Sequence, residues 1–291
     1  MMKDKRIVIK LGTSTLTHST GVINIRKMEK IVRAAADIKG MGNEVIIVTS
    51  AAISAGTAKL GLTERPKDLN AKMAIAAIGQ AQLMHTYDSL FSEYNCTVAQ
   101  ILLTDENVEN EKNAQNLSTT FSTLLEMGVI PIVNENDSVT SAEIESGHHK
   151  VLGDNDTLSA IVARLTKADL LILMSDIDGL YDADPRKNPD ARLLHDVIEI
   201  TPQIEEMAGG AGTAHGTGGM VTKLSAAKIA TEAGIDMIIA NSDNIDNLYD
   251  IVDGKTVGTR FIAKRKARHE KETEKYIEEM TEKIGEIPDV V

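Results

Sequence analysis

The sequence contains no tryptophan, only three phenylalanines and five tyrosines, and a single cysteine, Cys96. A lone thiol excludes an internal disulfide and offers no paired ligand spacing for a structural metal, so a reducing, cytoplasmic setting is the expectation. Scarce aromatics leave a core of Ile, Val, Leu, Ala and Met in place of an aromatic-rich binding surface. No apolar run approaches the ~20 residues that span a bilayer. Lys3, Asp4, Lys5 and Arg6 lead straight into a short strand, with nothing resembling a cleaved leader. A basic excess is also missing. The formal net charge of −12 argues against general nucleic-acid affinity, because binding a phosphate backbone needs a basic surface. The same charge repels small anions, so a site for one must concentrate cations locally.

What is present is an apolar fraction of 42% spread over 291 residues, enough for an α/β chain of two lobes on one sheet. Arg6 to Lys10 reads as a buried strand with Lys10 at the sheet's edge and Leu11-Gly-Thr-Ser-Thr15 as the turn beyond it. Met28, Ile31, Val32, Ala35 and Ile38 mark one face of a helix that Gly40 and Gly42 end, and Val45 to Val48 returns as a strand. Further strands are expected at 98–103, 129–133, 169–174, 236–240 and, as an edge strand, 257–263. Helices are expected between them, including a long one at 70–94 that could serve as a subunit contact. Strands alternating with helices predict a three-layer αβα sandwich with a largely parallel sheet. The expected division is a lobe at 1–168, a second at 169–263 and a charged helical tail at 264–291. The tail's basic start is followed at once by glutamates and reads as a solvated helix.

Polar residues cluster where strands end. His215 to Ala227, HGTGGMVTKLSAA, combines three glycines with Lys223 ahead of an apolar segment, which suits backbone N–H groups and a helix N-terminus facing an anion. Its lysine follows a threonine, so it is not the GxxxxGK[ST] loop of nucleotide triphosphatases. Small residues at 49–56 again allow close backbone approach. Asn134-Glu-Asn-Asp137 could be a turn or a site. Gly153-Asp-Asn-Asp-Thr157 opens a helix with more acid and amide groups than one cap requires. His148 and His149 have no third ligand nearby and read as solvent-exposed, and no metal ligand is assigned. The acids at 175–186 lack the DxDxDG period of a calcium loop.

Taken together, Lys10-Leu-Gly-Thr-Ser14, Ser50-Ala-Ala-Ile53, Asn134 to Asp137, Gly153 to Thr157, Tyr181 to Arg186 and Gly216 to Lys223 resemble the amino acid kinase family in order and spacing, from about residue 5 to residue 262. They are most similar to members that phosphorylate the γ-carboxylate of glutamate with ATP and Mg²⁺. The product is glutamyl 5-phosphate, on the route to proline. N-acetylglutamate-phosphorylating members rank second, and a non-catalytic amino acid or nucleotide sensor on the same fold is the reading from another class. The resemblance implies proline as feedback inhibitor. A homo-oligomer, and a hand-off of the labile product to glutamyl-phosphate reductase, are further expectations. The PUA domain that many such members carry is read as absent, with only the charged tail after Ala263.

An ionised carboxylate needs no general base, whereas phosphoryl transfer between two anions needs neutralisation and alignment. Lys10 and Lys223 suit that role from two sides, Gly12 can turn its N–H to phosphoryl oxygens, and the resemblance implies that Asp156 holds the two lysines. For the amino acid, Asp137 suits the ammonium group. Asn134 and Asn155 can supply amide contacts, and Ser50 a hydroxyl. For the nucleotide, the resemblance implies Lys10, Ser175, Asp176, Thr217, Gly218, Gly219, Met220, Val221, Thr222 and Lys223. One departure stands out: the family usually has glycine after the serine of the second loop, and Ala51 here costs energy if the backbone needs a positive φ.

Overall fold

The computed structural model describes residues 2–139, 152, 154–185, 187–209 and 219–264. The chain alternates strands and helices. β1 (Arg6–Leu11) is followed by a single turn, α1 (Thr13–Leu16), then α2 (Ile25–Gly40), β2 (Glu44–Val48), α3 (Ala52–Lys59) and the long α4 (Leu69–Ser92). Next come β3 (Val98–Leu103), α5 (Asp105–Glu109), α6 (Glu111–Glu126) and β4 (Ile130–Glu135). After them stand α7 (Asn155–Thr166), β5 (Leu170–Ser175), β6 (Asp196–Val197) and α8 (Pro202–Gly209). The chain then continues through α9 (Met220–Glu232), β7 (Asp236–Asn241), α10 (Asn247–Val252) and β8 (Thr259–Phe261).

The strands form one eight-stranded sheet in the order β3-β4-β2-β1-β5-β7-β8-β6, parallel throughout except where β8 runs against β7. One of the sequence-based expectations is corrected. Residues 257–263 do not supply the edge strand, because β6, only two residues long, pairs outside β8. A two-residue strand carries no periodicity, so it could not be read locally. Lys10 stands at the carboxyl edge of the sheet, near the end of the buried strand β1, which lies between β2 and β5.

Alternation along the strands divides the core. Ile7, Ile9 and Leu11 of β1 pack with Met28, Ile31 and Ile38 of α2, Leu83 and Tyr87 of α4, and Leu248 and Ile251 of α10. Val8 points the other way, into Phe121 of α6, Leu158 and Val162 of α7, and Leu224 and Ala227 of α9. These two apolar clusters on opposite faces are the αβα sandwich expected from the pattern. Lys10 shares the parity of Val8, so it faces the layer of α7 and α9. Burial on both faces explains why the strands read as continuous apolar runs.

Candidate active site

The parallel register brings the strand ends level. Val133, Val48, Lys10, Leu173 and Ile239 are successive partners across five strands. Two residues further on, Glu135, Ser50, Gly12, Ser175 and Asn241 form the row at the carboxyl rim, where open α/β sheets bind their ligands. Every cluster singled out in the described sequence leaves the sheet along this rim or caps a helix beside it.

Its centre is a buried ion triad. Lys10 Nζ lies 2.6 Å from Asp156 Oδ1, and Lys223 Nζ lies 3.1 Å from Asp156 Oδ2. Thr222 donates its hydroxyl to the same Oδ2 at 2.9 Å. Asp156 is only 2% exposed, Lys10 9% and Lys223 5%. Burial alone pushes the Asp156 carboxyl up, but the two ammonium groups and the hydrogen bonds from Lys10 and Thr222 outweigh it and hold the group below its ordinary value. Two like charges near one another at ~4 Å would repel by about 4 kcal/mol at an effective dielectric of 20, and the shared carboxylate offsets this. The triad keeps one net positive charge. Lys223 also stands in the first turn of α9, where the helix dipole disfavours a cation and where no acidic residue is present. This arrangement costs helix stability and favours an anion.

The surplus of polar groups at the start of α7 is divided among three tasks. Asp154 is the N-cap, its Oδ1 accepting from the N–H groups of Asp156 at 2.7 Å and Thr157 at 3.0 Å. That leaves Asp156 for the lysines. Asn155 turns to the residues after β2, donating Nδ2 to Ser50 Oγ at 2.6 Å, and its buried Oδ1 has no hydrogen-bond partner among the described residues. Gly12 caps α1, and a Cβ there would sit 3.6 Å from Lys10 Nζ. Ala51, the cap of α3, has φ 79° and ψ 10°, so the backbone after Ser50 does adopt the left-handed conformation that glycine accommodates.

Towards β4, Asn134 is 1% exposed; its Nδ2 donates to Gln80 Oε1 and its Oδ1 accepts from the Glu135 N–H, both at 2.9 Å. Asp137 is half-buried in the following turn. Towards β5, the buried Ser175 donates its hydroxyl to the exposed Asp176 at 3.1 Å. Gly219 caps α9, with Met220 and the half-exposed Val221 in its first turn. Thr217 and Gly218, with His148 and His149, lie outside the described residues. A polar link that the sequence does not announce joins α1 and α2 to the residues after β7: Thr15 Oγ1 donates to Ser242 Oγ at 3.0 Å, and Lys27 Nζ reaches Asp243 Oδ1 at 3.1 Å. The available signal was Lys27 set beside the core residue Met28. Among the described residues there is no group of three or more His, Cys, Asp and Glu that could hold a metal ion.

A sequence profile of the amino acid kinase family matches residues 5–241. The chain belongs to the amino acid kinase family. It is 55% identical over 265 residues to a protein of Clostridium perfringens (strain 13 / Type A) named glutamate 5-kinase, covering 91% of this chain and 98% of that one. It is also 55% identical over 269 residues to a glutamate 5-kinase of Carboxydothermus hydrogenoformans, covering 92% of this chain and 70% of its relative. Among solved structures, carbamate kinase from Giardia lamblia bound to AMP-PNP is similar with a TM-score of 0.62 at 19% identity, covering 89% of this chain and 98% of that one. UMP kinase from Ureaplasma parvum gives 0.60 at 17% identity, over 90% and 100% of the two chains. At such identities the likeness is one of fold. The described chain thus presents the amino acid kinase sandwich, with two lysines on one carboxylate at its carboxyl rim.

Proposed function

We propose that the protein transfers the γ-phosphoryl group of ATP to the γ-carboxylate of L-glutamate, giving ADP and glutamyl 5-phosphate, the first step of proline biosynthesis. The observation that carries this reading is the Lys10–Asp156–Lys223 triad at the rim of a chain 55% identical to glutamate 5-kinases. A γ-carboxylate oxygen attacks Pγ while the bond from Pγ to the bridging oxygen breaks and ADP leaves. The glutamate carboxylate, with a reference pKa near ~4.3, is already ionised, so no base is required. What remains is to hold two anions in line and to meet the charge on the transferring group.

Lys10, near the end of β1, and Lys223, on α9, approach that group from opposite sides, and Asp156 positions both. The Gly12 N–H faces phosphoryl oxygens. Ser50 supplies a hydroxyl and Asn155 an amide contact to the polar groups of the amino acid. Asp137 takes the ammonium group, which an N-acetylated substrate would lack. The first half of the chain therefore binds glutamate. Ser175, Asp176 and the segment from Thr217 to Lys223 receive the nucleotide. The Mg²⁺ that accompanies ATP would be held chiefly by phosphate oxygens and water and would neutralise charge there; no protein ligand is assigned to it. Proline as feedback inhibitor, self-association through α4, a cytoplasmic setting and hand-off of the labile acyl phosphate to glutamyl-phosphate reductase belong to the same proposal. No helix among the described residues is long and apolar enough to cross a membrane.

The test is ATP-dependent trapping of the product as a hydroxamate. Glutamate should give it, with N-acetylglutamate far behind. No hydroxamate and no ADP release with glutamate, or preference for the N-acetylated compound, would refute the assignment.

A further inference from the structure

Beside Asp137 lies a cavity of about 240 Å³, lined by Ala52, Ala76, Gln80, Gln100, Glu135 and Asp137 among others. Much of its wall is alanine. Gln80 is the exception on α4: it stands on the buried stripe between Ala76 and Leu83 and is only 8% exposed. A glutamine there must have its amide satisfied or leave it costly.

The orientation of that amide is fixed by a chain of hydrogen bonds whose first member cannot be reversed. The Glu135 backbone N–H can only donate, so the Asn134 atom that meets it is the carbonyl oxygen. Asn134 then turns its amino group to Gln80, so Gln80 must present Oε1 to it. Gln80 Nε2 faces away from Asn134, is buried, and has no hydrogen-bond partner among the described residues. Two N–H donors are thus left over, on a residue lining a cavity that also holds a carboxylate.

On the reading that glutamate is the substrate, we infer that Gln80 Nε2 is the donor that binds its α-carboxylate. Asp137 accounts for the ammonium group and the triad for the γ end. The α-carboxylate is the one charged group of the amino acid still without a partner, and it needs donors. A neutral amide donates to the carboxylate without adding charge to a cavity that Glu135 and Asp137 already line. Asn134 acts through Gln80 as a positioning residue, and Gly79 supports it: a Cβ on Gly79 would lie 1.7 Å from Ala52 O, so α4 runs backbone against backbone with α3 at the residue before Gln80. The cavity therefore selects a free α-amino acid by both of its α substituents.

The test measures initial rates with glutamate and ATP varied separately, for wild type, Gln80→Met and Gln80→Glu. Methionine keeps length and apolarity without a donor. Glutamate keeps the acceptor for Asn134 while setting a second carboxylate against the substrate's own. The KM for glutamate is expected to rise about 10- to 100-fold in Gln80→Met and further in Gln80→Glu, as expected when a hydrogen bond to a charged group is lost. The kcat and the KM for ATP should stay within about threefold. The Ki of 4-aminobutyrate, which is glutamate without its α-carboxylate, should not change in Gln80→Met. An unaltered glutamate KM in both variants overturns the assignment, as does an equal weakening of 4-aminobutyrate. A wild type inactive on glutamate would defeat the functional reading itself, whereas an active wild type with unresponsive variants defeats only the role of Gln80.

Discussion

At the scale of single residues, the chemistry rests on groups whose placement works against the stability of the fold. Lys223 is a buried cation in the first turn of a helix, and its removal should spare the fold. Lys223→Ala is expected to lower kcat at least ~10²-fold, the scale of losing a charge-stabilising group, with the circular dichroism spectrum retained. Asp156 behaves differently, because its loss leaves two buried cations facing each other. Asp156→Asn should cost about 3–5 kcal/mol of stability at neutral pH. The sign of the pH effect follows from a folded-state pKa below the unfolded one. The stabilisation is complete above about pH 4, the unfolded value, and is lost as pH falls through the lowered folded value. Urea midpoints of the two proteins should therefore converge on acidification and be farthest apart at neutral pH. Ala51, at φ 79°, carries strain of roughly 1–3 kcal/mol for a non-glycine residue. Ala51→Gly is expected to raise the thermal midpoint by a few degrees, read by calorimetry; an unchanged or lower midpoint would show that the loop carries no strain.

Among the elements, the α3–α4 pair shows how packing serves the site. Cβ atoms at Gly56 and Gly79 would fall 2.1 Å from Ile75 O and 1.7 Å from Ala52 O, so the two helices meet through their backbones. Gly79→Ala should force them apart, destabilising by about 1–3 kcal/mol. Because Ser50, Ala51 and Gln80 all hang from that pair, the glutamate KM should rise more than that for ATP, whose proposed residues extend from β5 and α9. Much at this scale was legible. The 3.6-residue stripes of α2 and α4 and the apolar strands all follow from local pattern. Other features were not. Gln80 is a polar residue on an apolar stripe, but the sequence does not reveal that Asn134 reverses its amide. Likewise, Asp154, Asn155 and Asp156 read as a cluster, and only the fold separates the cap from the residue bonded to Ser50 and the one holding the lysines.

At the scale of the whole molecule, the sheet order and the parity that aims Lys10 at α7 and α9 depend on pairings more than a hundred residues apart, such as Ile7 with Leu170. Local pattern has no access to those pairings. The level row of strand ends has a consequence for substrate length. In the proposed site the amino acid lies across the strands, its ammonium end at the turn after β4 and its reacting end at β1; the sheet order puts β2 between them. Its span is thus measured against two inter-strand gaps of about 4.8 Å each. Backbone hydrogen bonds fix these gaps, and no side-chain rotation can shorten them. Aspartate, one methylene shorter, cannot reach both ends of such a ruler, and a misplacement near 1 Å costs about 10²-fold in rate. Hydroxamate trapping should find aspartate turned over at least that much more slowly than glutamate, chiefly through kcat. Equal turnover would mean that the substrate does not lie across the strands. If aspartate is the slower substrate, chain-length selection is a property of the β-ladder itself, resistant to point substitution and open to change only by altering the register of β4 against β2.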